Sequence, residues 1–228
     1  MKKQTPFFLL LVVLSVLAGC TKNTSTGTLF VCGTSTVTDI DGNVYHTVSI
    51  GSQCWTVENL KTSKYNDGTS IPTGLSDIIW AADTLGAFAI WNNDTANNTI
   101  YGKLYNWFAV KTGKLNIKGW HVPDTTERST LRNFTGGPLS GGKLKSLSSL
   151  WALGNVGASN STGFTALPSA MRQQAGGFAS LSYEGDFWTT VSESSITASA
   201  FRMLGADSSF QFIGSVKNRG YAVRLIKE

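Results

Sequence analysis

The chain has 228 residues, of which 24 are glycine and seven tryptophan, with 19 Lys and Arg against 14 Asp and Glu. The excess of +5 is small and scattered, and no basic run could follow a phosphate backbone, so nucleic acid is excluded as an expected partner. Charged residues make up only 14 %, below the usual share of about a quarter, while Ser, Thr and Asn are frequent: the profile of an exported, turn-rich protein with short strands.

Met1-Lys2-Lys3 places positive charge at the start, Phe7 to Leu14 is a continuous apolar run, and Leu17-Ala18-Gly19 brings small residues up to Cys20. That order predicts a secretion signal over residues 1–19. The apolar run is short for a permanent membrane-spanning helix. Leu17-Ala18-Gly19-Cys20 resembles the lipobox of bacterial lipoproteins, which implies a diacylglycerol on the Cys20 thiol, cleavage just before it and an acylated new amine. The competing readings are an ordinary signal with an incidental cysteine and an uncleaved anchor. Each buried methylene contributes about 0.8 kcal/mol, so two or three acyl chains would hold the protein firmly on a membrane. Thr21 follows the cysteine where an Asp would retain the protein at the inner membrane; the enterobacterial sorting rule then implies the outer membrane, with the periplasmic or surface face left open. Thr21 to Thr28 is polar, and residues 20–30 read as a lipidated, flexible tether.

Residues 31–228 read as one domain. Val37 to Ile40, a turn at Asp41-Gly42-Asn43 and Val44 to Ile50 predict a hairpin. It would bring Cys32 towards Cys54, and in an oxidising compartment a disulfide closing a loop of about 22 residues would add roughly 3 kcal/mol. Two separate buried thiols are the alternative. No CxxC occurs, and His46 and His121 are the only histidines, so no metal site is expected from these residues. Gln53 to Leu60 alternates as a half-buried strand does, and Tyr65-Asn66-Asp67-Gly68 marks a turn. Residues 72–99 read as irregular. Tyr101 to Val110 has Leu104, Tyr105, Phe108 and Ala109 at helical spacing, ended by Gly113. Trp120-His121-Val122 is a short strand before Pro123. Asp124 and Glu127 form a capping-box pattern for a second helix, with Leu131 and Phe134 facing the core and Gly136-Gly137 stopping it. Beyond a Gly- and Ser-rich stretch, Phe187–Val191, Ser199–Leu204, Phe210–Val216 and Tyr221–Ile226 read as closing strands. Two central helices between strands, without repeat or linker, give a single α+β domain.

Five separated strings then acquire a common meaning: Val37 to Leu60, Tyr101 to Val110, Gly119 to Pro123 (GWHVP), Gly163 to Pro168 (GFTALP) and Gly220 to Arg224 (GYAVR). In this order they resemble the Fibrobacter succinogenes major paralogous domain, a family of exported bacterial domains, over residues 37–227. The resemblance implies a C-type-lectin-like fold related to the formylglycine-generating enzymes: two helices, a twisted antiparallel sheet with neighbouring N- and C-terminal strands, and many irregular loops.

For function, the oxygenase members of that wider group hold copper through cysteines in the C-terminal half, and here none follows Cys54. A hydrolase triad needs a nucleophile, a base and an orienting group; His46 and His121 occupy strand positions and read as structural rather than catalytic. Glu184, Asp186 and Glu193 are close in sequence and could pair as glycosidase carboxylates. Neither Gly136-Gly137 nor Gly141-Gly142 fits a phosphate loop. Asp77, Asp83, Asp94 and Asp207 fall in expected loops, but no compact string supports Ca²⁺, so no cofactor is expected. Trp55, Trp107, Trp120 and Trp188 lie in strand or helix patterns and read as core; Trp80, Trp91 and Trp151 lie in loop-like stretches and are the candidates for stacking on a sugar. Asp83-Thr84-Leu85 and Asp94-Thr95-Ala96 resemble an O-glycosylation motif of Bacteroidetes-type bacteria. The expectation is a lipid-anchored, non-enzymatic envelope module that binds a glycan or a surface protein. The alternative is a hydrolase, acting on glycosides or other substrates, with no recognisable motif.

Overall fold

The computed structural model describes residues 1–3 and 29–228; the expected lipobox with Cys20, the signal beyond Lys3 and the tether up to Thr28 lie outside the described residues. Val31–Glu228 form one compact unit. Its elements in chain order are β1 (Thr36–Thr38), β2 (Val44–Ile50), β3 (Gln53–Thr56), α1 (Asp77–Ala82), β4 (Phe88–Ala89), α2 (Ala96–Tyr101), β5 (Leu104–Asn106), α3 (Trp107–Val110), β6 (Trp120–His121), α4 (Thr125–Thr135), β7 (Ser169–Arg172), β8 (Phe178–Leu181), β9 (Glu184–Ser192), β10 (Thr197–Leu204), β11 (Phe210–Val216), β12 (Gly220–Tyr221) and β13 (Ile226–Lys227). The strands make three antiparallel sheets, ordered β1-β2-β3-β13-β6, β11-β10-β9 and β4-β5-β12-β7-β8. The domain is α+β, and its last strand joins the N-terminal hairpin's sheet: Ile226 of β13 pairs with Trp55 of β3 on one side and with His121 of β6 on the other, while β1 lies at the sheet's edge.

The N-terminal hairpin forms where the alternation placed it, with Thr38 opposite Val44 across the Asp41-Gly42-Asn43 turn. Asp39 holds that turn by accepting from the backbone N–H groups of Asp41 and Asn43, each at 2.9 Å. Cys32 and Cys54 are joined in a disulfide. Helix α4 opens at Asp124 with a full capping box: the Asp124 side chain accepts from Glu127 N, and Glu127 accepts from Asp124 N, both at 2.8 Å. It closes at Gly136, whose φ of 113° is open to glycine. Leu131 packs into the core. Phe134, expected beside it, is 63 % exposed and lies over Gly51 instead. The remainder of that face is taken by Arg128, which donates to Ser199 Oγ and Ala200 O and ties the helix to β10.

Tyr101–Val110 is not one helix. Tyr101 ends α2, Leu104–Asn106 is extended between β4 and β12, and Trp107–Val110 turns helical again as α3. The switch is made at Asn106, whose buried Oδ1 accepts from Ala109 N and from Ala87 N. Sheet pairing overrides the helical spacing there. The stretch 72–99, expected to be irregular, carries α1, β4 and the start of α2, so the described residues hold four α-helices rather than two. The last expected strand is split: β12 belongs to one sheet and β13 to another, with Ala222–Leu225 crossing between them. Two large apolar clusters and a small one of Trp80, Ala87 and Ala89 fill the interior. One surrounds Tyr105, Trp107, Trp188 and Tyr221; the other is built on Trp55, Phe164, Phe187, Phe201 and Phe210. In the second, Phe187 and Phe201 stack at 5.0 Å and Phe164 meets them edge-on.

Candidate functional site

The expected ligand tryptophans separate. Trp80 is fully buried under the Arg172 guanidinium, 4.5 Å above its ring. Trp151 is 5 % exposed, and its Nε1 donates to Ser146 Oγ and Ala166 O. Both were expected on loop surfaces; Trp80 instead lies in α1 and packs with Ala87 and Ala89, Trp151 packs into the second apolar cluster, and neither ring has a face for a sugar. Trp91 differs. It is half-buried, edge-on to Phe178 at 5.4 Å, and opens the turn Trp91–Asn93 on the rim of a groove.

That groove has a volume of about 400 Å³ and is lined by Ser63, Thr73, Gly74, Phe88, Ile90, Asn93, Thr95, Asn98 and Lys103. Gly102 makes it. With φ 72°, and with the backbone oxygens of Asn59 and Leu60 within 3.0 Å of where a Cβ would stand, this position admits only glycine. The chain therefore leaves α2 pressed against residues 59–60, Lys103 N donates to Leu60 O, and the Lys103 side chain is carried inward to the groove. Lys103 is 4 % exposed. Its ammonium donates to Ser63 Oγ at 2.5 Å and lies 4.3 Å above the Phe88 ring. Burial pulls its pKa down to about 8, against the opposing influence of Asp41 and Asp39. Those carboxylates are already engaged. Asp39 accepts from Tyr45 OH and Asn43 Nδ2 as well as the turn amides, and Asp41 accepts from Ser63 N and pairs with Lys64 at 3.4 Å. Lys103 forms no ion pair among the described residues. Asn98 also lines the groove, and its Oδ1 is buried with no hydrogen-bond partner among the described residues.

The carboxylates considered for hydrolysis are held elsewhere. Asp186 is fully buried and receives Arg202 Nε at 2.6 Å and Nη2 at 3.0 Å; Glu184 receives Arg202 Nη1 at 3.1 Å. Burial pushes Asp186 up to about 6 while Arg202 opposes it. Glu193 follows β9, apart from this pair in the ladder. His46 Nδ1 meets Glu58 at 2.7 Å and His121 Nε2 meets Glu127 at 2.8 Å, where the glutamate also serves the α4 cap. The loop aspartates are occupied locally: Asp77 pairs with Arg172, Asp83 accepts from Leu85 N, Gly86 N and Asn106 Nδ2, Asp94 from Ala96 N, and Asp207 from Ser209. Among the described residues no group of three or more His, Cys, Asp or Glu is placed to hold a metal ion, and no helix is long and apolar enough to cross a membrane. Thr84 and Thr95, of the two glycosylation-like triplets, are both exposed, and Thr95 is on the groove wall.

The separated strings meet at one residue. Arg224, fully buried, donates from Nε to Asn59 Oδ1 at 2.6 Å, from Nη1 to Thr56 O and Phe164 O, and from Nη2 to Thr165 O. Asn59 Nδ2 in turn donates to Tyr101 O at 2.8 Å. One guanidinium and one amide thus lock four of the five strings, and β13 joins the fifth through His121. These features define an extensively cross-braced α+β domain whose signature residues serve the scaffold and whose groove lies beside it. The family model of the Fibrobacter succinogenes major domain matches residues 48–227, and the chain belongs to that family. No curated protein and no solved structure matches the chain.

Sequence reasoning missed Lys103, Ser63 and Asn98. The one available signal was a lysine set in the otherwise uncharged stretch Tyr101–Val110.

Proposed function

We propose that this protein is a lipid-anchored cell-envelope module, held at the outer membrane through Cys20 and non-enzymatic, that binds a glycan or a surface-protein partner in the groove at Lys103. The observation that carries the reading is the groove itself: apolar walls from Phe88 and Ile90, the Lys103 side chain and the polar residues Ser63, Asn93 and Asn98 line one open cavity. Such a mixture of apolar surface and few convergent polar groups is the usual make-up of a small-ligand site. The C-type-lectin-like relationship belongs to the same proposal; it is supported by the last strand β13 entering the N-terminal sheet beside β3 and by the many loops. The non-enzymatic part is supported by Asp186 and Glu184 both being committed to Arg202.

The test is a glycan array probed with the soluble domain, residues 21–228, beside mass spectrometry of the native protein. Binding to a glycan class, weakened by Trp91→Ala on the groove rim, is the expected result. Absence of binding to every glycan removes the carbohydrate version and leaves a protein partner. An intact Met1 or an unmodified Cys20 overturns the anchoring.

A further inference from the structure

We propose that helix α1 docks on a lipid bilayer, inserting Ile78, Ile79 and Leu85 among the headgroups and upper acyl carbons. This inference rests on the anchored-module reading and adds a second, non-covalent contact with the same membrane.

A surface helix ordinarily turns its apolar side chains inward and its charges out. α1 does the reverse. Of Asp77–Ala82 only Trp80 is buried. Ile78 is 84 % exposed, Ile79 57 % and, just past the helix, Leu85 82 %. Ala81 and Ala82 are exposed as well. Ile78 and Ala82 stand one turn apart with Ile79 beside them, so on helical geometry they share the side away from Trp80. The flanking carboxylates are engaged: Asp77 pairs with Arg172, and Asp83 accepts from Gly86 N and Asn106 Nδ2.

The backbone holds this display in place. Ser76 Oγ accepts from Ile79 N at the start of the helix. At its end, Asn218 Nδ2 donates to Ala81 O at 3.1 Å and to Asp83 O at 2.7 Å. Arg172 covers the Trp80 ring, and Gly176 approaches so closely that a Cβ there would stand 2.3 Å from the Asp77 Cα. The helix is thus fixed by its two ends and one indole, and its isoleucines face solvent. The apolar surface continues past Thr84 and Asn218, which line a cavity of about 380 Å³ with Phe108 and the exposed Ile196. Exposed Lys111 keeps its ammonium 5.0 Å from the Phe108 ring, as a cation does that lays its stem on apolar surface and reaches towards headgroups.

The occupant follows from the tether and from the chemistry of the patch. Cys20 and Val31, where the compact unit begins, are eleven positions apart. On the anchored reading a coil of that length spans about 18 Å. This is close to the radius of gyration of a domain of this size, roughly 16 Å. The domain is therefore kept within reach of the bilayer, and docking is intramolecular. Contiguous exposed apolar surface marks a protein or membrane contact. Ile78, Ile79, Ala81 and Ala82 offer no side-chain donor or acceptor, whereas a protein interface carries about one hydrogen bond per 100–200 Å². An interfacial apolar helix face in lipid needs none.

The test puts a nitroxide on Ile79→Cys in the intact chain, acylated in cells and reconstituted in vesicles of phosphatidylethanolamine and phosphatidylglycerol. Cys32 and Cys54 are joined, so the new thiol takes the label. Mass spectrometry of the same sample reads position 20. Collisions of the label with dissolved oxygen should exceed those with a water-soluble nickel chelate severalfold. A label on Asn133→Cys, exposed on α4, should show the reverse. Ile78→Asp added to the Ile79→Cys chain should return the label to water with unchanged thermal unfolding, since both side chains are exposed. An aqueous label at position 79 on an acylated chain overturns the inference and leaves the anchoring standing. An unmodified Cys20 overturns the anchoring and this inference with it. Equal oxygen excess at positions 79 and 133 overturns it as unspecific contact. Strong dipolar coupling between labels, with both collision agents shut out, overturns it in favour of a second copy of the chain.

Discussion

Removing the Cys32–Cys54 bridge by the paired change Cys32→Ala and Cys54→Ala should lower stability by about 3.4 kcal/mol. The bridge closes a loop with a sequence separation of 22 residues. On the chain-entropy relation this length withdraws about 11 cal/mol/K from the unfolded ensemble, which gives that figure near room temperature. The folded side changes little. The segment carrying Cys32 keeps a second attachment to β2, since Gly33 N donates to Thr47 Oγ1 at 3.0 Å and Thr47 Oγ1 donates to Ser35 O at 2.6 Å. β2 and β3 stay paired from Thr47–Thr56 to Ile50–Gln53 without the bridge. The loss therefore resides in the unfolded chain. For a domain of this size each kcal/mol moves Tm by about 2–4 °C, so the expected fall is about 7–14 °C. Calorimetry of the two proteins side by side, with circular dichroism showing the same folded spectrum, measures it. A fall below about 3 °C, or a changed native spectrum, would refute the assignment of the effect to loop closure.

Three further outcomes follow from named contacts. Lys103→Met should raise stability by about 1 kcal/mol at neutral pH, because a poorly bonded buried charge is replaced by an apolar chain of similar length. In the wild type the folded state releases this proton near pH 8 while the unfolded chain holds it to about 10.4, so stability due to Lys103 rises with pH across that window and the gap to the variant closes; urea melts at pH 7 and 10 that show the same gap would sink the argument. Asp124→Ala should cost about 1 kcal/mol by removing the acceptor for Glu127 N at the start of α4, read by denaturant midpoint, with no change in ligand binding. Arg224→Lys should cost about 3–5 kcal/mol, since an ammonium keeps the buried charge but loses the planar fork that reaches Asn59, Thr56, Phe164 and Thr165 together; a loss under 1 kcal/mol would show that these acceptors find other donors.

The parts of the fold that were legible in the sequence are those set by local rules. The Asp124–Glu127 capping box, the Gly136 stop, the turn at Asp41–Asn43 and the alternation of Val44–Ile50 each need only neighbours a few residues away, and each formed as expected. Tyr101–Val110 and Tyr221–Ile226 were misread for the opposite reason. Their periodicity is real, but Leu104–Asn106 is pulled into a sheet by β4 and β12, which lie far away in the chain, and β12 is parted from β13 by the crossing segment that buries Arg224. No local pattern carries that information.

The tryptophans show the same limit at the site. Trp80 and Trp151 fall in stretches without a clear strand or helix pattern, which suggested exposed loops, yet packing under Arg172 and against Ser146 and Ala166 buries them. Lys103 is the reverse case: a residue type that belongs on the surface, carried inside because Gly102 lets the chain press against Asn59 and Leu60. Its neighbour in the groove, Ser63, is 40 positions away, and the donors that engage Asp39 and Asp41 include Tyr45 OH of β2 and Ser63 N. A site assembled this way leaves one trace in the sequence, a single charge in an uncharged run. The scaffold leaves five strings, because an arginine with four buried hydrogen bonds fixes many partners at once whereas the Lys103 side chain fixes one. That asymmetry explains why the family is readable in this chain and the ligand is not, and it makes the groove at Lys103 the place where binding chemistry is to be sought.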